Sequence, residues 1–385
     1  MSDLLDYIEW RGDLSLSASP WCGVDALLIA VVSYLDISGT DSAEGWTLAD
    51  ARRMDLVEKG ESSSFEGRKK AFDAMAASER FGGIRIHHFI ALTDTEREMQ
   101  FSAMCADLPD GTMVVAFRGT DNTIIGWKED FNMAYQASVP AQEAAAYYLR
   151  RAAESTGRPL RLIGHSKGGN LAVYSAMMAP AEIQDRIESI WSFDGPGLNH
   201  ELTERDGLQR IKSKVRHFVP QSSIIGLLMD YCEPYTVVRS GASGLSQHDP
   251  LTWGVRARGF EEMESIDSTA VLIRDTLHDW LDNSTAEQRG LFVETMFRMV
   301  ESTKATKVSD ITGEKLKSIQ TMLNSRKEVD QATRRVFSRL VAQAVTLGFG
   351  NMVRMRAEKP LLLKNEVKEQ DGRKNDNGET GTAEE

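Results

Sequence analysis

Apolar and polar positions change rhythm three times along this chain. Up to about residue 80 the apolar residues recur at helical spacing. Leu4, Leu5 and Ile8 share one side of a short segment, Asp3 to Trp10. Val24, Leu27, Leu28, Val31, Val32 and Leu35 form a stronger stripe, which predicts a helix packed on a sheet. Ser19-Pro20 reads as its start, because proline lacks an N–H that the first turn leaves unpaired anyway. Residues 39–63 are polar and broken by Gly45 and Gly60, as in a surface insertion or part of a cap, and Arg68 to Ser78 reads as a further helix.

From Ile84 the period shortens. Ile84–Phe89 and Met99–Cys105 alternate as half-buried strands do, and Thr112–Phe117 is nearly continuous, as in a strand covered on both faces. A helix over Ala141–Ala153 comes next. Strands are then predicted at Leu160–Ile163, Ile187–Phe193, Val215–Val219 and finally Thr236–Arg239. Strands alternating with helices predict an α/β fold, a mostly parallel sheet with helices on both faces.

After about residue 265 strand signals stop. Thr269–Leu281, Thr285–Glu301, Gly313–Leu323 and Glu328–Phe349 read as helices. Trp280, Phe292, Phe297 and Met299 read as core or interface rather than ligand contacts. From Arg356 the chain is polar, and Gln370–Glu385 has the composition of a disordered tail. The expected organisation is an α/β domain over 1–265, a helical region over 266–355 and a polar tail over 356–385.

Composition narrows the function classes. The 385 residues carry a formal net charge of −12, which gives no global attraction to nucleic acid or anionic membranes. No apolar run reaches the ~20 residues of a membrane span. Met1–Asp6 lacks the cationic start of a signal peptide, and Cys22, Cys105 and Cys232 are scattered like reduced thiols. A cytoplasmic protein without integral membrane association is expected. No H-E-x-x-H, Cys-x-x-Cys or Gly-rich phosphate loop occurs, so neither metal nor organic cofactor is expected.

The chemistry gathers at Gly164-His165-Ser166-Lys167-Gly168, a G-x-S-x-G between the strand at 160–163 and a helical pattern in Leu171, Tyr174 and Met178. Strand, tight turn and helix form the context in which such a serine becomes an exposed nucleophile. Ser166 needs a base. Of seven histidines, His248 lies in a loop after the last strand, Ser246-Gln247-His248-Asp249-Pro250. His165 points the wrong way from the turn, His200 and His217 come early, and His278 sits in a helical pattern. For the orienting acid, Asp194 ends the strand after the nucleophile's, where side chains point into the same crevice. It would equally serve as the turn former of Asp194-Gly195-Pro196-Gly197. The other position, after Val219, holds Ser222-Ser223 and no carboxylate before Asp230. Oxyanion donors are expected from the backbone N–H of Lys167 and from Thr120 in Arg118-Gly119-Thr120.

Val115-Ala116-Phe117-Arg118-Gly119-Thr120, then Trp127 and Asp130, then Gly164-His165-Ser166-Lys167-Gly168-Gly169 resemble the class 3 lipases. The resemblance implies an α/β-hydrolase-like fold, Ser166 as nucleophile, and Thr120 and Lys167 at the oxyanion hole. From Leu5-Asp6-Tyr7 and Trp10-Arg11-Gly12-Asp13 to Gln247-His248-Asp249-Pro250 and Trp253, the chain resembles the bacterial lipase-like group called Mbeg1-like, largely of unknown function. Two departures stand out. Class 3 lipases place an aspartate near the position of Ser222-Ser223, and a leucine where Lys167 stands. A cation there would favour anionic acyl groups or pair with a local carboxylate.

The resulting expectation is a serine hydrolase of carboxylic esters, lipid or small acyl, acting through an acyl-enzyme on Ser166. Ile224–Met229 would either line an acyl pocket or belong to the core. Two alternatives stay open: an inactive α/β-hydrolase relative acting as a binding protein, and an acyltransferase or thioesterase using the same serine.

Overall fold

The computed structural model describes residues 1–302 apart from 61–62, 122 and 231–233. The helices expected at 313–323 and 328–349, the tail and Cys232 lie outside the described residues. In chain order, α1 (Leu4–Arg11), α2 (Gly23–Val32), β1 (Trp46–Thr47), α3 (Leu48–Arg53), α4 (Ser63–Ala77) and α5 (Glu79–Gly82) come first. There follow β2 (Arg85–Asp94), β3 (Met99–Asp107), β4 (Met113–Phe117), α6 (Ile124–Asn132), α7 (Pro140–Glu154), β5 (Leu160–His165) and α8 (Lys167–Met178). Next are α9 (Ala181–Arg186), β6 (Ile187–Phe193), α10 (His200–Thr203), α11 (Asp206–Ile211), β7 (Val215–Pro220) and β8 (Tyr235–Val238). The described chain ends with β9 (Val255–Arg256), β10 (Gly259–Phe260), β11 (Glu262–Met263), α12 (Ser268–Asp282) and α13 (Ala286–Ser302).

Among the described residues, nine strands form one sheet in the order β1-β2-β3-β4-β5-β6-β7-β8-β11. The block β4 to β8 is parallel, while β1 to β4 and the β8–β11 pair are antiparallel. β4 shows why both faces are covered. Val114 and Ala116 enter one apolar core with α1, α2 and α4, while Met113, Val115 and Phe117 enter another with α7 and α8. Alternate side chains of a strand point to opposite faces, so each core takes every second residue. This is an α/β-hydrolase-like sheet with helices on both sides.

Three of the differences from the sequence pattern bear on the sheet and the site. α2 begins at Gly23 rather than at Pro20, because the Asp25 carboxylate accepts the Cys22 N–H at 2.9 Å and so sets the cap. α6 is an additional helix, capped by Thr123, whose side chain accepts the Gly126 N–H. Thr236–Arg239 is not the last strand: β9, β10 and β11 follow as two-residue pieces too short to show a period, and β11 extends the sheet beside β8.

α12 and α13 pack inward. Ile124 of α6 joins Phe292, Val293, Phe297 and Val300 in an apolar cluster, against which Trp127, Phe131 and Trp280 lie. Phe297 and Met299 are buried there, as expected of core residues.

Candidate active site

The β5–α8 turn forces close approach. A Cβ on Gly164 would stand 2.0 Å from the Gly168 carbonyl oxygen, and one on Gly168 would stand 2.1 Å from that of Phe117. Glycine is required at both positions. Between them Ser166 has φ 59° and ψ −134°, left-handed backbone that a serine adopts only under constraint. Its N–H donates to the Phe193 carbonyl at 2.9 Å, which ties the bend to the end of β6.

Asp194 follows β6 directly, also with positive φ, 49°. Its N–H donates to Phe218 O on β7 at 2.7 Å, and its side chain is only 1% exposed. One oxygen, Oδ2, lies 2.6 Å from His248 Nδ1. The other accepts from Ser223 Oγ at 2.5 Å and from the Gly226 N–H at 3.1 Å. An ionised carboxylate only accepts, so the imidazole proton sits on Nδ1 and the lone pair of Nε2 is left toward the cavity. Asp194 therefore orients His248 as well as shaping a turn. Ser223, beside the position where class 3 lipases carry an aspartate, instead supports the carboxylate that follows β6.

The His248 loop is pinned from behind. Trp253, fully buried, donates Nε1–H to Gln247 O at 2.8 Å. His165 Nε2 lies 2.7 Å from His248 O, so it carries the proton, and its Nδ1 accepts from Tyr34 O–H at 2.9 Å. Burial, and then the charge of His248, hold the His165 pKa well below the ordinary value, which keeps that ring neutral. His165 is thus a strut beneath His248; the two rings are 4.6 Å apart.

Thr120 Oγ1 donates to Asp130 Oδ2 at 2.5 Å. Burial raises the Asp130 pKa to about 6, against the lowering pull of Lys167 and of the Thr120 hydrogen bond. Lys167 is 1% exposed. Its Nζ donates to Gln100 O at 2.7 Å, Gln100 Oε1 at 3.1 Å and Glu129 Oε2 at 2.9 Å. An ammonium has three protons, so all are committed. Of the two roles weighed for this cation, pairing with a local carboxylate is the one found; it is not held out toward an acyl group.

Ser166, His248, Thr120 and Lys167 all line one cavity of about 550 Å³. Its apolar lining includes Trp127, Phe131, Leu277, Trp280 and Phe292, so Trp280 and Phe292 serve both core and cavity. Ile225, Leu228 and Met229 also face it, while Leu227 is buried in the core. The remaining histidines are elsewhere engaged. His200 is exposed and 2.8 Å from Asp230, and His278 Nε2 lies 3.1 Å from Leu227 O. His217 is buried in β7, its pKa pushed down to about 4 by desolvation. His87, His88 and Cys105 hold ligand atoms within 4.8 Å of one another, close enough for a metal; their spacing in sequence showed no such group.

Sequence reasoning missed Tyr34, Glu129 and the supporting role of Ser223. The Ser222-Ser223 departure pointed to Ser223, and the short helical spacing of Ile124, Trp127 and Phe131 pointed to the helix that carries Glu129.

Fold and cavity together describe an α/β-hydrolase-like protein with a serine at its elbow. The chain belongs to the Mbeg1-like family, whose sequence profile matches residues 75–298. Among solved structures it is similar to M37 lipase at 16% identity, covering 53% of this chain and 69% of that one, with a TM-score of 0.36. A mutant form of MDLA from Penicillium cyclopium matches at 13% identity over 62% of this chain and 83% of its own, TM-score 0.36. A triacylglycerol lipase from Penicillium expansum matches at 12% identity over 46% and 74%, TM-score 0.29. No curated protein matches significantly. Among the described residues no helix is long and apolar enough to cross a membrane.

Proposed function

We propose that the protein is a serine hydrolase that cleaves carboxylic esters, lipid-like or small acyl, through an acyl-enzyme on Ser166. The observation that supports this most directly is the 2.6 Å Asp194–His248 hydrogen bond, beside a strained serine that lines the same cavity. Ser166 Oγ attacks the carbonyl carbon while His248 Nε2 takes its proton. The tetrahedral oxyanion is held by N–H groups of Lys167 and Thr120. Collapse breaks the C–O bond, and the imidazolium returns its proton to the departing alcohol. Water, deprotonated by His248, then attacks the acyl-enzyme and releases the acid. Asp194 accepts the His248 Nδ1–H throughout and stabilises the imidazolium in both steps.

Residues 1–265 act as the catalytic unit, and the helices beyond it supply part of the cavity wall. The scattered, unbridged Cys22 and Cys105 fit a cytoplasmic site of action.

An inactive relative would be favoured by a base without a carboxylate, and His248 has one. A fluorophosphonate probe is expected to label Ser166 and to lose its target in Ser166→Ala. Absence of an adduct on the folded wild-type protein rules against the hydrolase. Turnover of p-nitrophenyl esters with and without added alcohols measures the share of acyl transfer.

A further inference from the structure

The cavity beside Ser166 has two unlike walls. α6, α12 and α13 bring Trp127, Phe131, Leu277, Trp280 and Phe292. α4 and the turn after α2 bring Ser64, Arg68 and Tyr34. Among the described residues, three lysine or arginine side chains line it, and two are committed. Lys167 is held by Glu129 and Gln100. Arg289 donates to Ala134 O and Ser284 O, each at 3.0 Å, and also to Leu281 O. Arg68 makes no hydrogen bond or ion pair to any described residue, and its guanidinium carbon lies 4.0 Å over the centroid of the Tyr34 ring. Stacking holds a guanidinium by its face and leaves its in-plane N–H fork for a planar or tetrahedral anion.

Arg68 is also placed close to the chemistry. Tyr34, on which it stacks, is hydrogen-bonded to His165, and His165 holds the carbonyl of His248. The acidic groups of the cavity have partners of their own: Asp130 takes the Thr120 hydroxyl, and Asp121 takes the Thr123 N–H at 2.8 Å. At about 550 Å³ the space suits a small amphiphile rather than a macromolecule.

We propose that the substrate is an anionic amphiphile. Its acyl chain lies on the α6, α12 and α13 wall, and a phosphate or carboxylate on the alcohol portion is gripped by Arg68. This rests on the serine-hydrolase reading for its chemistry but not for its binding, so the two are separable. The covalent steps are those above; Arg68 forms hydrogen bonds only.

The test reads binding in Ser166→Ala, where nothing is turned over. Trp127 and Trp280 report occupancy by intrinsic fluorescence. Octyl phosphate, octanoate, octyl glucoside and inorganic phosphate are titrated. The better of the two anionic amphiphiles is expected to bind about tenfold or more tighter than octyl glucoside, as charge-assisted hydrogen bonds allow. Adding Arg68→Gln is expected to erase that preference and leave octyl glucoside unchanged; Arg68→Lys is expected to keep part of it. Equal binding of anionic and neutral amphiphiles overturns the proposal. So does a preference that survives Arg68→Gln, or inorganic phosphate binding as tightly as octyl phosphate. Failure of wild-type Ser166 to take a fluorophosphonate sinks the hydrolase instead and leaves the binding result standing.

Discussion

Two buried ion pairs invite comparison. Asp25 and Arg80 meet at 2.6 Å with both side chains 0% exposed. Glu129 and Lys167 meet at 2.9 Å, 0% and 1% exposed. Each offsets desolvation in the same way, by satisfying the leftover donors and acceptors. Arg80 also donates to Leu14 O and Ser19 O, and Tyr7 O–H donates to Asp25. Glu129 accepts the N–H groups of Ala141 and Gln100. The difference is in what each pair touches. The first closes the N-terminal segment over α2. The second belongs to the elbow that carries Ser166, the proposed nucleophile, and the next residue along, Asp130, holds Thr120. Burial of opposite charges is therefore no sign of function by itself; the groups attached to the pair decide.

The comparison breaks most severely at the chemistry. Ser166→Ala is expected to lower kcat/KM for a short p-nitrophenyl ester by about 10⁴-fold or more, and Asp194→Asn by about 10³–10⁴-fold, with the thermal midpoint of the serine variant near wild type. Next come the pairs. Arg80→Met is expected to cost about 3–5 kcal/mol of unfolding free energy, by leaving the buried Asp25 without a counter-charge, while kcat of the folded fraction is unchanged. Lys167→Met is expected to cost a similar amount and also to lower kcat about 10²-fold, by loosening an oxyanion donor. Denaturant titration beside steady-state kinetics checks both. If folded Lys167→Met keeps wild-type kcat, the two pairs are equivalent and the contrast fails.

A smaller effect is read in pH. His217 has a folded pKa of about 4, below its ordinary 6.5, because burial disfavours the cation. Between those values the unfolded chain binds more protons, so this contribution is complete above pH 6.5 and is lost as pH falls toward 4. It amounts to about 3 kcal/mol. Asp130 runs the other way: its folded pKa of about 6 exceeds the ordinary 3.8, so its contribution fades as pH rises through 6. With its side chain 24% exposed, that swing is the smaller. Stability profiles of His217→Asn and Asp130→Asn are expected to flatten in opposite directions.

Much of this was legible in the residues. The β4 to β7 strands announce themselves because each buries continuous or alternating apolar residues, and Ser166 because two glycines flank it between strand and helix. Asp194 and His248 were nameable as acid and base from their places after strands, but the rival reading of Asp194 as a turn former stayed open: 54 residues separate the two, and only the sheet brings them to 2.6 Å. Lys167 was harder. Pairing with a carboxylate was one of its two readings, but the partner could not be named, because Glu129 stands 38 residues earlier on a helix outside the predicted elements. That helix carries Ile124, Trp127 and Phe131 at helical spacing after a threonine cap, so the signal was present but short. The strands β9 to β11 had none, since two residues show no period.

α6 carries Glu129 and Asp130 side by side, and its apolar face lies under α13, with Phe131 and Phe297 rings 5.8 Å apart. Both anchors are rigidly ganged, so a slide of this one rod would carry Lys167 and Thr120 together. The proposed pocket for negative charge would then behave as a latch, engaged or disengaged as a whole, rather than as two donors that drift separately.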